Sequence, residues 1–391
     1  MKLLVLSNLY PNPEQQEHGI FIETRIRNFY SSGNVHIKVC SPIPWFPFKS
    51  YLFRKYAIYA RIPKYNKRHS IDVIYPRYPI IPKVGMYISP FLMALALIKP
   101  LKEIIKSGYV FDLIDAYYLY PDCVAAVILA RYFNKPVIIT ALGSDLNILP
   151  KYFIPRTLIK WSIKHASGIT TVSKALKTEL LRLGANNNIR VILHGVDLHL
   201  FHMPNDINSL RKQLGIKRRT LLSVGNLVKL KGHDLIIQAL VDLPSTDLII
   251  IGHGKQDHYL KALVKKLNLE DRVRFLGLIN QKELQLYYGA ADALVLASKS
   301  EGIANVLLES MACGTPVIAS RVGGLPEMVN TPESGVLLEE RTPQAIVKAV
   351  SILFRNYPDR SDTRRYAERY SWDSTSKQHL SLIDNVLVKS S

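Results

Sequence analysis

Short apolar runs alternate with helix-patterned segments along the chain, and this alternation limits the folds that it can adopt. Parallel strands are joined by crossovers that are usually helices, so the pattern predicts α/β units built on parallel sheets. The first series of predicted strands comprises Leu3 to Ser7, Ile37 to Ser41, Leu113 to Ala116, Val137 to Thr140, Gly168 to Val172 and Ile189 to Leu193. The second comprises Thr220 to Gly225, Leu248 to Ile251, Val273 to Leu276, Ala293 to Leu296, Pro316 to Ala319 and Gly335 to Leu338.

Two series of strands predict two domains. The length of 391 residues agrees, because single hydrophobic cores rarely grow beyond about 250–300 residues. A loop-like segment, Met203 to Asp206, lies between the two series and gives domains at residues 1–203 and 204–370. Ser371 is suited to cap a final helix, so we expect residues 371–391 to form a C-terminal helix.

Positive charge is concentrated in the first half of the chain. The net charge is +20, and residues 1–200 hold 26 Lys and Arg against 11 Asp and Glu. Within them lies the basic strip, residues 49–83, where nine Lys and Arg alternate with seven Tyr and Phe. Such a strip suits an anionic membrane surface, or nucleic acid through phosphate neutralisation and base stacking. A solvated basic face without a partner is the third interpretation.

An apolar stretch of fifteen residues, Val84 to Ile98, follows the basic strip and contains Pro90. A bilayer-spanning helix needs about 20 apolar residues, so the stretch predicts a core or interfacial helix. The three cysteines have no metal-ligand spacing, which favours a reduced, cytoplasmic setting. The start of the chain has no h-region of signal-peptide length. We therefore expect a cytoplasmic protein that is peripheral on the inner face of the cell membrane.

Two carboxylates, Glu301 and Glu309, lie eight positions apart after the strand that ends at Leu296. Glu301 follows the strand directly, in the loop position that faces ligands in open α/β sheets. Glu309 lies in an apolar helical segment, where a lone buried carboxylate is costly unless it is hydrogen bonded. The vicinal hydroxyls of a ribose would supply two donors at once. In the alternative interpretation, Glu309 is a solvated helix residue and Glu301 is an ordinary charged residue of a loop.

The residues that follow this pair extend the pattern. They include Gly314-Thr315-Pro316 and the loop Gly323-Gly324-Leu325-Pro326-Glu327. The stretch resembles the donor site of glycosyltransferase family 4, which has a Glu-x7-Glu pair, a small-residue turn and a Gly-Gly-x-Pro-Glu loop. The resemblance implies a GT-B fold, with two Rossmann-like α/β domains facing an interdomain cleft and a last helix that returns to the first domain. It also implies a retaining transferase that uses a nucleotide sugar of the UDP or GDP type and no cofactor.

The same resemblance implies roles for individual residues. Glu301 would contact donor sugar hydroxyls or support an oxocarbenium-like transition state, and Glu309 would bind the ribose. The backbone near Ile279 would meet the nucleotide base. Further donor contacts are expected from Gly302, Asn305 and Val306.

A strand end, a glycine turn and a lysine precede a predicted helix at residues 223–234. Helix-start amides and a cation both favour a diphosphate at such a place. The family holds its donor pyrophosphate with an arginine and a lysine, and Lys231 matches the lysine. Asn226 stands where the arginine usually is, and whether Lys229 replaces that charge is open. A surface turn with scattered lysines is the alternative.

Two loops of the first domain also resemble family loops. Gly19 precedes a helical pattern and would let backbone amides approach the donor phosphates, although a plain βα turn explains it equally. Asp145 lies in a loop that faces the acceptor in the family, but Leu142 occupies the place of that loop's histidine. Asp145 is a candidate for acceptor contact, with N-capping as the alternative. We therefore predict catalytic roles for Glu301, Lys231 and Asp145.

The sequence contains no Asp-x-Asp motif, so we expect no metal site. The combined prediction is a glycosyltransferase whose acceptor is a saccharide, linked to lipid in view of the basic strip, in cell-surface polysaccharide synthesis. Its partners would be the nucleotide-sugar donor, that acceptor and an anionic membrane surface, without nucleic acid. A sugar-nucleotide epimerase on the same architecture is the enzymatic alternative. A nucleic-acid binding protein would account for the charge but not for the Glu301 and Glu309 pair.

Overall fold

The computed structural model describes residues 1–31, 35–50, 52, 55–81, 85–186 and 188–390. The chain divides into two compact units. Unit 1 contains Met1–Leu193 and the residues from Trp372 onward, and unit 2 is His194–Ser371. The boundary between the units therefore lies earlier than the predicted one at 203, and the last segment begins at Trp372 rather than Ser371.

Unit 1 is built on an eight-stranded sheet with the order β10-β9-β8-β7-β1-β2-β5-β4. Its pairs are parallel except for the antiparallel hairpin β4–β5. Two further short strands, β3 and β6, pair with each other. The strands are β1 Lys2–Leu6, β2 His36–Cys40, β3 Ile43–Pro44, β4 Tyr65–Arg68, β5 Ile71–Ile74, β6 Arg77–Tyr78, β7 Leu113–Tyr117, β8 Val137–Ala141, β9 Gly168–Thr171 and β10 Ile189–Val191.

Helices connect most of the parallel strands of unit 1, as the alternating pattern predicts. They are α1 Ile20–Ser31, α2 Lys55–Arg61, α3 Gly85–Lys106, α4 Val124–Phe133, α5 Ser144–Asn147, α6 Phe153–His165 and α7 Lys174–Arg182. Single helical turns lie at Leu119–Cys123 and Leu149–Lys151. The core on one face of the sheet combines Leu3, Val5 and Val39 with Ile22 and Ile26 of α1.

Helix α3 passes through Pro90 and extends beyond the apolar stretch that predicts it. A proline inside a helix has no N–H for the carbonyl four residues earlier, which here belongs to Met86. The hydroxyl of Tyr120 donates a hydrogen bond to that Met86 carbonyl, so the group is satisfied from outside the helix. Val84, which opens the stretch, lies outside the described residues. In the described part of the chain, no helix has the length and apolar character to cross a membrane.

The basic strip uses part of its charge inside unit 1. Arg61 pairs with Glu14 at 2.7 Å, and Arg68 donates two hydrogen bonds to Glu23. Arg77 donates to the carbonyls of Tyr75 and Ile62. Lys64 and Lys67 are exposed. The outward charge of the strip is therefore smaller than its composition indicates; Tyr51, Phe53, Arg54 and Lys83 lie outside the described residues.

Unit 2 contains a six-stranded parallel sheet with the order β13-β12-β11-β14-β15-β16. Its strands are β11 Arg219–Val224, β12 Thr246–Ile251, β13 Val273–Gly277, β14 Ala293–Leu296, β15 Val317–Ser320 and β16 Gly335–Leu338. Its helices are α8 Ile207–Gln213, α9 His233–Ala239, α10 Asp257–Lys266, α11 Gln281–Ala290, α12 Asn305–Ala312, α13 Leu325–Met328, α14 Pro343–Arg355 and α15 Arg360–Glu368. Single helical turns lie at Lys229–Lys231 and Leu240–Asp242.

Side chains alternate between the two faces of this sheet. Leu222 and Leu294 belong to one core, and Leu221 and Val295 belong to the other. Because both faces are covered, the strands are continuous apolar runs rather than alternating ones. This explains why the sequence predicts them with bounds close to those observed.

Residues 194–203 belong to unit 2 through backbone contacts and packing. Val196 donates to the Tyr370 carbonyl at 2.9 Å, and the two segments form a parallel bridge. Phe201 packs edge-on against Tyr288, with ring centroids 5.9 Å apart. Arg364 donates to the carbonyls of Phe201 and Leu198. These contacts place the boundary before, rather than after, the loop that the sequence marks.

The last helix, α16 Trp372–Ser390, packs on α1 within unit 1. Its Leu382, Ile383 and Val386 join the core of that unit. Beneath the helix lies a buried chain of polar contacts. Arg25 reaches His379 Nδ1 at 3.0 Å, and His379 Nε2 lies 3.0 Å from Asp115 Oδ2.

Replacing His379 with Ala should strongly destabilise unit 1. The change leaves the buried Asp115 carboxylate and Arg25 guanidinium each without its hydrogen-bond partner on the imidazole, and the loss of a partner by a buried polar group costs about 1–3 kcal/mol, more for a charged group. Urea unfolding of the full chain measures the loss. Lys377→Ala, on the exposed side of the same helix, is the matched control and should change the free energy of unfolding by less than about 0.5 kcal/mol. Equal effects of the two variants would contradict the proposed role of the buried contacts.

Candidate active site

The order of strands in unit 2 reverses between β11 and β14. The chain runs from β11 outward to β13, then returns to β14 beside β11 and continues to β16. In open α/β sheets, ligands bind outside the carboxyl ends of the strands at such a switch point. The loop after β11 carries Lys231 and the loop after β14 carries Glu301. Both predicted catalytic residues of unit 2 therefore lie at this point of the sheet.

Glycines allow the loops at the switch point to lie against each other. A Cβ atom at Gly232 would lie 2.2 Å from the Ala297 carbonyl oxygen, and one at Gly323 would lie 1.8 Å from the Glu301 carbonyl oxygen. Both glycines have positive φ angles, of 74° and 54°, that side chains disfavour. Gly324 also donates from its backbone amide to the Gly302 carbonyl at 3.1 Å. The Gly-Gly loop thus holds the backbone of the Glu301 loop.

Lys231 and Glu301 form an ion pair at the switch point. The Lys231 Nζ lies 2.6 Å from Glu301 Oε1, and the Ser298 hydroxyl donates to the same oxygen at 2.6 Å. The Lys231 side chain is 23% exposed and that of Glu301 is 11% exposed. The pair is therefore partly shielded, which strengthens its attraction, yet the ammonium remains accessible to a ligand.

Glu309 is placed differently from Glu301. It lies on α12 and accepts a hydrogen bond from the Tyr288 hydroxyl at 2.8 Å. Within the described residues, no second hydrogen bond reaches its carboxylate. Although the residue keeps some exposure, desolvation raises the pKa of the Glu309 carboxyl to about 7, against the lowering effect of the Tyr288 hydrogen bond. The carboxylate has unused acceptor capacity, which a ligand with paired hydroxyls can fill.

The start of α9 contains a buried imidazole. His233 Nδ1 lies 2.8 Å from the Ser223 hydroxyl, and Nε2 lies 3.3 Å from the Asn226 carbonyl. Burial lowers the pKa of His233 to about 4, so the ring is neutral near pH 7. The ring ties the end of β11 to the turn before Lys231.

Residues 206–370 match the family model described as Glycosyl transferases group 1, and residues 63–200 match the model described as Glycosyltransferase Family 4. An uncharacterized glycosyltransferase of Methanocaldococcus jannaschii is 31% identical over 276 residues, which cover 70% of this chain and 74% of that protein. The chain belongs to glycosyltransferase family 4.

Other known proteins resemble the chain over most of its length. TuaC of Bacillus subtilis, named as a candidate teichuronic acid biosynthesis glycosyltransferase, is 28% identical and matches 90% of this chain and 88% of its own. Sucrose-phosphate synthase from Thermosynechococcus elongatus superposes with a TM-score of 0.82 at 21% identity, over 99% of both chains. Anabaena HepE in complex with UDP-glucose gives 0.71 at 19% identity, over 98% of this chain and 99% of that one. These structures establish the predicted GT-B fold.

The remaining predicted donor residues of this glycosyltransferase, apart from Gly19, also lie in unit 2. Asn305 begins α12, and its side-chain oxygen lies 3.0 Å from His194 Nδ1. Val306 and Ile279 pack partly buried against the core. Asn226 is exposed, and its backbone carbonyl contacts both the Val228 amide and the His233 ring. Its side-chain amide is neutral, so it does not replace the charge of the family arginine. Lys229 is exposed nearby.

Close backbone packing within unit 1 explains why position 19 is a glycine. Its φ is +72°, and a Cβ there would lie 2.3 Å from the carbonyl carbon and oxygen of Leu9. The glycine lets the start of α1 approach the loop after β1. His18 stabilises the same approach through a 3.1 Å contact between its Nε2 and the Asn8 carbonyl. A contact of Gly19 with donor phosphates remains a prediction.

Asp145 is buried, and its carboxylate is hydrogen bonded to backbone amides. It accepts hydrogen bonds from the backbone amides of Leu119 at 2.8 Å, Gly143 at 2.6 Å and Leu142 at 3.1 Å. Desolvation raises the pKa of Asp145 even though these amides oppose the shift. The geometry gives Asp145 a role in shaping the loop after β8. The predicted catalytic role has no supporting contact within the described residues.

Sequence reasoning missed three polar residues of unit 2. Ser298 orients Glu301, Tyr288 donates to Glu309, and His233 braces the Lys231 turn. Of these three, only Ser298 could have been proposed from the sequence, because it lies in the loop after β14, three residues before Glu301. In the described part of the chain, no three His, Cys, Asp or Glu side chains cluster in a way that would hold a metal ion.

Gly323→Ala should disturb the Glu301 loop. Its methyl group would overlap the Glu301 carbonyl oxygen, and overpacking costs about 1–3 kcal/mol beyond the strain of the positive φ. Gly215→Ala is the matched control, since Gly215 has φ +66° and no atom within 4 Å of the added Cβ. Urea unfolding and hydrogen exchange measure the difference. We expect faster exchange at residues 298–304 in Gly323→Ala alone; the same exchange in both variants would contradict the packing argument.

Proposed function

We propose that this glycosyltransferase moves a sugar from a nucleoside diphosphate donor, of the UDP or GDP type, onto a saccharide acceptor with retention of configuration. The Lys231–Glu301 pair at the strand-order reversal carries the proposal. One site there presents a cation for a diphosphate and a carboxylate for sugar hydroxyls, 2.6 Å apart. The UDP-glucose bound by HepE, which shares the fold, supports this choice of donor.

The leaving diphosphate would be stabilised by Lys231. Its ammonium contacts Glu301, and helix α12 begins four residues after Glu301, at Asn305. The N-cap residue Ala304 makes no side-chain capping hydrogen bond, so the first amides of that helix can favour negative charge. A diphosphate that approaches Lys231 shares the ammonium with Glu301. Because the charge on the leaving oxygen grows in the transition state, this interaction accelerates the reaction as well as binding the donor.

In the proposed scheme, all bond changes occur on one face of the sugar, which retains the configuration. The acceptor hydroxyl oxygen bonds to the anomeric carbon, the bond from that carbon to the diphosphate oxygen breaks, and the hydroxyl proton passes to the leaving diphosphate. Glu301, fixed by Ser298, would support the positive charge on the sugar ring. Asp145 does not take the proton in this scheme, because its carboxylate oxygens are already held by amides.

The acceptor is proposed to be a lipid-linked saccharide at the inner face of the cell membrane. The charge of the chain supports this proposal, since residues 1–200 hold 26 Lys and Arg against 11 Asp and Glu. The similarity to TuaC over 90% of this chain supports a cell-surface polysaccharide as the product. In the basic strip, Lys64 and Lys67 are exposed, whereas Arg61 and Arg68 pair with Glu14 and Glu23.

Affinity for a nucleotide sugar should rise with pH through the range near 7. The Glu309 carboxyl has a pKa of about 7 in the free protein, and only its ionised form offers every acceptor position to two ribose hydroxyls. Below the pKa, protonation opposes binding by up to about tenfold per pH unit. Calorimetry with UDP-glucose and GDP-glucose, whose diphosphates keep their charge from pH 6 to 8, measures this dependence. Glu309→Gln should bind more weakly and lose the slope; an unchanged slope would return Glu309 to a structural role.

Replacing Lys231 with Ala should impair transfer far more than chelation does. Loss of the ammonium removes charge stabilisation from the leaving diphosphate, and a deficit of about 1.4 kcal/mol or more lowers the rate at least tenfold. Release of UDP or GDP in the presence of a membrane-lipid extract reports transfer, with Lys229→Ala as the control for a neighbouring exposed lysine. Activity that disappears in chelator and returns with magnesium or manganese would contradict metal-independent transfer.

A further inference from the structure

Helix α3 exposes apolar side chains along its first half. Tyr87, Phe91 and Leu95 repeat every four residues, so they form one line on the helix surface. They are 36%, 45% and 67% exposed. The opposite side buries Met93 and Leu97 completely. A surface helix of a globular protein normally places polar residues on its outer side, so α3 departs from that arrangement.

The exposed apolar surface continues into the segment before the helix. Ile80 and Ile81 are 47% and 45% exposed, and Met86 is 36% exposed. The Gly85 amide donates to the Ile81 carbonyl at 2.7 Å, which joins this segment to the helix start. Several large apolar side chains exposed within one short stretch of chain mark a candidate interaction site. We call it the apolar patch: Ile80, Ile81, Met86, Tyr87, Phe91 and Leu95.

Basic residues follow the apolar patch along the same helix. Lys99, Lys102 and Lys106 are exposed on its second half, with Glu103 as the one exposed carboxylate among them. The surrounding unit is strongly basic: unit 1 contains 28 Lys and Arg against 12 Asp and Glu, and unit 2 contains 23 against 19. An apolar surface beside excess positive charge is complementary to an anionic lipid bilayer.

We propose that the apolar patch inserts into the headgroup and acyl boundary of an anionic membrane, with the α3 lysines at the level of the lipid phosphates. The inference rests on the proposed lipid-linked acceptor and names the surface that would meet the membrane. The eleven residues from Gly85 to Leu95 span about 16 Å at 1.5 Å per residue, which is short of a bilayer, so the helix lies in the interface. A second copy of the chain is a poorer occupant, because it would bring two basic surfaces together.

Vesicle binding of the full chain tests the apolar contribution. The probe is a vesicle of phosphatidylcholine with phosphatidylglycerol, at low and at high salt. Phe91→Glu with Leu95→Glu should lower the vesicle partition coefficient about tenfold or more at both salt concentrations. Val241→Glu with Leu278→Glu, at exposed apolar positions of unit 2, is the matched control and should bind like the parent. Equal binding by both double variants would overturn the proposal.

Insertion can also be observed directly at one position. The cysteines Cys40, Cys123 and Cys313 are buried, so a cysteine introduced at Leu95 can be labelled selectively with an environment-sensitive dye. Anionic vesicles should shift the emission of the dye at Leu95→Cys to the blue, and that at Leu278→Cys should not change. A protein that binds vesicles without a shift at position 95 would show that another surface makes the contact.

Two further measurements separate this inference from the proposed function. UDP-glucose and GDP-glucose binding of Phe91→Glu with Leu95→Glu should equal that of the parent, because the patch contains none of the proposed donor residues. If the parent protein binds a nucleotide sugar but no vesicle, the membrane inference alone is overturned. If the parent protein binds neither UDP-glucose nor GDP-glucose, the proposed function is overturned, whatever the result with vesicles. A concentration-dependent dimer abolished by the same two changes would assign the patch to self-association and overturn the inference.

Discussion

Close backbone approach holds the candidate site of unit 2 together. The Lys231 and Glu301 loops follow neighbouring strands, but neighbouring strands alone do not bring two side chains within 2.6 Å. The absence of a Cβ at Gly232 and at Gly323 allows carbonyl oxygens to lie where a methyl group would stand. Hydrogen bonds from Ser298 and from the Gly324 amide then hold the Glu301 side chain and its loop. The ion pair is thus positioned by backbone geometry before any ligand binds.

The two units use buried charge in different ways. Under α16 in unit 1, Arg25, His379 and Asp115 are each less than 4% exposed, and their contacts fix the helix on its unit. Lys231 in unit 2 keeps 23% exposure. Charges that are fully enclosed and paired constrain structure, since separating them is costly. A cation that is paired but still accessible can exchange part of its interaction with an incoming anion, which is what a donor diphosphate requires.

Apolar alternation predicts the sheets well because strands covered on both faces are nearly continuous apolar runs. It misses β3 to β6, since residues 43–78 are rich in basic and aromatic side chains and their strands are short. The Glu301 and Glu309 pair is visible in sequence, but its partners are not, because Tyr288 reaches Glu309 across a helix pair. Asp145 shows a different limit of sequence reasoning. A carboxylate in a loop looks available in sequence, and only the fold shows three amides around it.

For helix α3, the sequence pattern predicts the helix but not which of its apolar residues are buried. Its residues predict a helix that is core or interfacial, and the sequence cannot distinguish these two, because an apolar run of fifteen residues is consistent with either. The helix continues through Pro90, and the Tyr120 hydroxyl satisfies the Met86 carbonyl that Pro90 leaves without an N–H donor. Because the helix is unbroken there, Tyr87, Phe91 and Leu95 stay on one line of its surface. The proposed membrane surface is therefore set by the fold of unit 1 as well as by the apolar pattern of the helix.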